Sequence, residues 1–60
     1  MPVVIVNMYA GRDREAKLRI AEGITKVFEA EKVPRDAVTV IMNDVPKDNW
    51  ADGGKLASDR

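Results

Sequence analysis

The seven residues from Val3 to Tyr9 run Val-Val-Ile-Val-Asn-Met-Tyr. Apolar side chains crowd both alternating faces, the pattern of a strand covered on both sides. Gly11 breaks the run, and Asp13 is placed to cap a helix with Glu15 in its first turn. From Asp13 to about Lys32, the residues Leu18, Ile20, Ala21, Ile24, Val27 and Phe28 recur at spacings that make one helical stripe. Arg19, Glu22, Lys26 and Glu29 lie off the stripe and are expected in solvent. Gly23 sits mid-helix at about 1 kcal/mol relative to alanine. It is either tolerated there or marks the close approach of another backbone. Val33-Pro34 ends the helix, because proline disfavours helical geometry in the residue before it. Residues 37–43 (Ala-Val-Thr-Val-Ile-Met-Asn) read as a second strand. Val38, Val40 and Met42 share one face, and Thr39, Ile41 and Asn43 the other.

Strand, helix and strand make an α/β chain of one β-α-β unit, with parallel strands and a right-handed crossover. Beyond it, Pro46, Lys47-Asp48-Asn49, Trp50, Asp52 and Gly53-Gly54 are turn signals around the only tryptophan. They predict a short C-terminal hairpin reaching onto a neighbouring subunit. One helix covers one face of a two-stranded sheet. The other face, equally apolar, must meet something, and a second copy is the simplest candidate.

Composition sharpens this expectation. Sixty residues allow one domain, 1–60, which buries only about 60% of the surface its unfolded form exposes. There is no cysteine and no histidine, so disulfides and the commonest metal ligands are absent from the means of stabilisation. Oligomerisation is left. Ten acidic and ten basic residues give a net charge of zero, which argues against nucleic acid or an anionic membrane as partner. No apolar run approaches a membrane span, and no secretory signal is visible. A cytoplasmic location is expected.

The candidate chemistry begins at Pro2, directly behind the initiator methionine at the head of the first strand. Proline is small enough for that methionine to be removed, which would leave a secondary amine held at the start of a strand. Val3-Val4-Ile5-Val6 make its surroundings dry, and burial lowers the pKa of an amine. A neutral amine near its own pKa is a good general base. A chain can also begin Met-Pro with no catalytic consequence.

Several residues in order complete a pattern: Pro2, Gly11-Arg12, then Glu15 and Lys17 early in the helix, Pro34, Asn49-Trp50 and Gly53-Gly54. Over its whole length, with about one residue fewer near the helix end, the chain resembles the 4-oxalocrotonate tautomerase family of the tautomerase superfamily. The resemblance implies the tautomerase fold, in which the unit dimerises into a four-stranded sheet with two helices, and three dimers form a homohexamer. It implies an isomerase with no cofactor and no metal, of the kind used in aromatic compound catabolism. Its substrates would be 2-hydroxymuconate and related 2-hydroxydienoic or 2-oxo acids. Pro2 matches the catalytic proline, Arg12 the first substrate-binding arginine, and Trp50 the aromatic residue, a phenylalanine in the type enzyme. The family's second arginine falls on Thr39. Arg35, nearby in sequence, belongs to the loop and is not assigned its role.

Each residue also has a plain structural reading. Arg12 could be a solvated residue at the helix start, Trp50 an interface anchor, and Gly53-Gly54 a turn. Two alternatives to a tautomerase remain. Asp52 stands two residues after Trp50, where the related trans-3-chloroacrylic acid dehalogenases hold a water-activating glutamate. Asp52 would then serve a hydratase or dehalogenase of an unsaturated acid. Against this, aspartate is shorter, Tyr9 replaces the dehalogenases' second arginine, and aspartate before glycine favours a solvated turn. The other alternative is a non-catalytic subunit or assembly module.

Overall fold

A computed structural model describes residues 1–60. Strand β1 spans Val3–Tyr9, helix α1 Arg14–Ala30 and strand β2 Thr39–Val45. A hairpin of β3 (Ala51–Asp52) and β4 (Lys55–Leu56) follows. Single 3-10 turns occupy Arg35–Ala37, Lys47–Asn49 and Ala57–Asp59. β1 and β2 pair in parallel, with Val3 opposite Thr39, Ile5 opposite Ile41, Asn7 opposite Asn43 and Tyr9 opposite Val45. The expected β-α-β unit and C-terminal hairpin are both present.

Asp13 caps α1, its carboxylate accepting from the Ala16 amide at 2.9 Å, with Glu15 in the first turn. The helix ends at Ala30, two residues before the expected Lys32. Lys32 adopts a left-handed conformation with φ 68°. The Lys32 amide donates to the Glu29 carbonyl, and the Val33 amide to that of Phe28. This pair of bonds is a Schellman motif, and it stops the helix ahead of Pro34.

The helical stripe is narrower than its spacing predicts. Ile20, Ala21, Ile24 and Phe28 are half-buried over the sheet. Leu18 is 54% and Val27 65% exposed, because they sit on the flank of the helix and one two-stranded sheet is too narrow to cover them. The second strand is displaced by two residues from the expected 37–43. Ala37 is taken up by the 3-10 turn after Pro34. At the other end the strand continues through Asp44, whose carboxylate is held by the Lys17 ammonium of α1 at 2.6 Å.

The sheet face away from α1 carries Val3, Ile5 and Asn7 of β1 beside Thr39, Ile41 and Asn43 of β2, all exposed. Ile5 is 61% accessible. In the isolated chain this strand pair is therefore covered on one face only. Ala57 is the one buried residue. The chain exposes 4571 Å², where a folded monomer of 6.7 kDa exposes about 3,900 Å². Its radius of gyration is 14.4 Å, against about 10 Å for a rounded domain of this length. It is a slab 43 × 24 × 13 Å.

Candidate active site

Pro2 lies at the head of β1, half-buried, and its carbonyl accepts from the Thr39 amide at 3.0 Å. Its nitrogen is an amide while Met1 is attached. Met1 is 94% exposed, so its removal would cost the fold almost no packing. Thr39 is exposed on the open face beside Val3. These two residues form one end of the arrangement.

The opposite end holds the others. Arg12 follows the C-terminal end of β1, beyond Gly11, whose φ of 126° suits glycine. Arg12 is exposed and is in no ion pair. Trp50 is half-buried, and its ring meets Tyr9 edge-on with centroids 4.7 Å apart at 63°. Tyr9 shares the open-face row of β1, so Trp50 folds over the C-terminal end of that face. The Lys47 ammonium stands 5.5 Å from the Tyr9 ring centroid, a cation–π distance. The hairpin is anchored by the Ala57 amide donating to the Trp50 carbonyl at 2.7 Å. It turns through Gly53 and Gly54 at φ 59° and 80°, the tight turn that needs two left-handed residues.

Asp52 is exposed in β3, and its carboxylate accepts from the Arg60 guanidinium at 3.0 Å. Arg35 lies elsewhere. It is hydrogen-bonded to Glu22 and 3.4 Å from Glu29, both on α1. Its pKa is raised, first by the Glu22 hydrogen bond, then by the charges of Glu22 and Glu29.

The chain thus brings together Pro2 with Thr39, and Trp50 with the neighbourhood of Asp52. It does not unite the two groups. From Pro2 to Tyr9 is seven residues of strand, or roughly 23 Å at the usual rise. The two concavities on the isolated chain both lie along α1 and include none of Pro2, Arg12, Thr39, Trp50 or Asp52. The Tyr9 platform, Lys47 and Arg60 carry no sequence motif.

Residues 2–60 match the sequence pattern of the tautomerase enzymes. A 2-hydroxymuconate tautomerase of Comamonas testosteroni is 37% identical over 60 residues, covering 98% of this chain and 95% of that protein. A structure from work on the 4-oxalocrotonate tautomerase isozymes of Methylibium petroleiphilum superposes with a TM-score of 0.86 at 36% identity, over 95% and 94% of the two chains. A structure from work on a heterohexamer 4-oxalocrotonate tautomerase of Chloroflexus aurantiacus does so at 0.86 and 29%, over 97% and 95%. The fold and these likenesses define a tautomerase. Within that superfamily the chain belongs to the 4-oxalocrotonate tautomerase family.

Proposed function

We propose that the protein is a cofactor-independent keto–enol tautomerase of 2-hydroxymuconate-type acids, with Pro2 as general base. The observation that carries the reading is the setting of Pro2. It is held at the strand head by the hydrogen bond from the Thr39 amide, next to a solvated Met1. Freed of Met1, its amine takes the proton from the 2-hydroxyl of the dienol and returns it to C5 or C3. The O–H bond breaks, a C–H bond forms, and the double bonds shift along the chain. Arg12, with no carboxylate to neutralise it, binds the substrate carboxylate by its planar fork and draws electrons toward that end. Trp50 supplies a dry wall that strengthens both effects.

The site is shared between copies. β1 pairs on one edge only. A two-fold pairing of free β1 edges that keeps both helices on one side is antiparallel. Pro2 then lies beside the far end of the neighbouring β1, where that copy's Arg12 and Trp50 stand. The free β1 edge supports this pairing, and the half-covered sheet supports further copies on the open face.

The test is ultraviolet conversion of 2-hydroxymuconate to its 2-oxo isomer by Met1-free and Met1-retaining protein. Met1-free protein should be active, with loss on the order of a hundredfold or more when Met1 is retained or in Pro2→Ala. Equal rates would remove Pro2 as the base.

A further inference from the structure

The row of Asn7 and Asn43 interrupts an otherwise aliphatic stretch of the open face. Asn43 Nδ2 donates to Asn7 Oδ1 at 2.9 Å, directly across the register from one another. Toward α1 the neighbouring positions are Val6 and Met8 of β1 and Met42 and Asp44 of β2, the Asp44 carboxylate held by Lys17. Toward solvent the row below it is Ile5 with Ile41, and the next Val3 with Thr39. Asn7 and Asn43 are both exposed. The pair uses one donor and one acceptor, leaving amide hydrogens and carbonyl lone pairs on both side chains. Whichever amide donates, the outer surface of the pair presents both roles at once.

We infer that the Asn7–Asn43 pair is a self-recognition device. The open face packs against the same face of further copies of this chain, and the two-sided hydrogen bonding of the pair sets their register and excludes chains lacking it. The inference rests on the shared-site assembly proposed above. The area favours a copy of this chain as the occupant. The exposed surface exceeds that of a rounded monomer by about 650 Å², close to the roughly 800 Å² per partner of a stable interface. The rows from Val3 to Asn7 and from Thr39 to Asn43 carry no charge, so no charge pattern there selects an oppositely charged partner. A surface presenting donors and acceptors together is satisfied by its own copy. An aliphatic partner would leave it unsatisfied, at the cost that makes one buried asparagine specify register in packed helices.

Native mass spectrometry of the Met1-free protein, with one partner isotope-labelled, tests this. Asn7→Val and Asn43→Val each strand one amide and should raise the dissociation constant of the assembly by about tenfold or more. The double variant Asn7→Val/Asn43→Val removes both amides, so it should assemble at least as tightly as wild type. On subunit exchange, wild-type and double-variant chains should sort into separate oligomers. Statistical mixing, or single variants that dissociate like wild type, would overturn the device while leaving the assembly standing. A wild-type chain that is monomeric at micromolar concentration would overturn both. Should a single variant fail to fold, the exchange of wild type with the double variant still decides.

Discussion

Arg12 and Arg35 separate the two fates of an arginine in a small α/β chain. Arg35 is engaged by Glu22 and Glu29, and its raised pKa follows from them. A folded pKa above the unfolded one means that this stabilisation is fully present below the unfolded value. It is lost only as pH rises through the folded value, far above neutrality, so Arg35 gives no pH dependence near pH 7. Arg12 has no ion-pair partner and follows the strand that Pro2 begins. Arg12→Ala should therefore lower kcat/KM for carboxylate substrates by about 10- to 100-fold, the loss of a charge-assisted hydrogen bond, mainly through KM. Arg35→Ala should leave kcat/KM unchanged and lower the melting temperature slightly. Steady-state kinetics beside a thermal melt check both, and equal kinetic effects would dissolve the distinction. Pro2, Arg12 and Trp50 were legible as residue types in order. The Tyr9–Trp50 contact, Lys47 over Tyr9 and the Arg60 hold on Asp52 were not, because tertiary folding brings together residues that no local pattern links. The Asp52 pairing engages a carboxylate that a water-activating role would need free.

Among the elements, periodicity located the parts well and their edges poorly. β1 matches its expected bounds of 3–9, since an apolar run ended by Gly11 leaves little choice. β2 slid by two residues because a turn at Arg35–Ala37 and the Lys17–Asp44 pair outweighed local propensity. The helix stripe misled at Leu18 and Val27 because spacing reports a helical face and not the width of the surface it meets. The helix end shows a residue under strain. Lys32 occupies the left-handed position of the Schellman motif, where a side chain costs about 1–2 kcal/mol and glycine does not. The hydrogen bonds there use backbone atoms only, so Lys32→Gly keeps them. After the greater freedom of glycine in the unfolded chain is allowed for, Lys32→Gly should stabilise the fold by about 1 kcal/mol. Denaturant unfolding at constant protein concentration measures it. A destabilised variant would mean that the lysine side chain has a partner in the assembled protein.

At the scale of the molecule, the strand itself forces the argument. A single chain holds Pro2 and the Arg12–Trp50 end apart by the length of β1, roughly 23 Å, farther than one small dienoic acid can bridge. No concavity of the isolated chain joins them. If the site pairs Pro2 of one copy with Arg12 of the next, the two impaired variants should rescue each other when assayed well below KM. Pro2→Ala alone has only a poor primary-amine base, and Arg12→Ala alone has no carboxylate anchor. In an equal mixture, unfolded and refolded together, each site draws its proline and its arginine independently. About a quarter of the sites then receive both intact residues, so about a quarter of wild-type activity should return. Refolding the variants separately and mixing them at once should return nothing until subunits exchange. A site contained in one chain gives no recovery under either regime, because every chain in the mixture carries one of the two lesions. The magnitude is diagnostic as well as the sign. Recovery near a quarter requires free assortment, and a markedly lower value would mean that copies of one variant prefer each other. Activity of the co-refolded mixture no greater than the sum of its parts would return the site to a single chain and remove the main reason for a shared one.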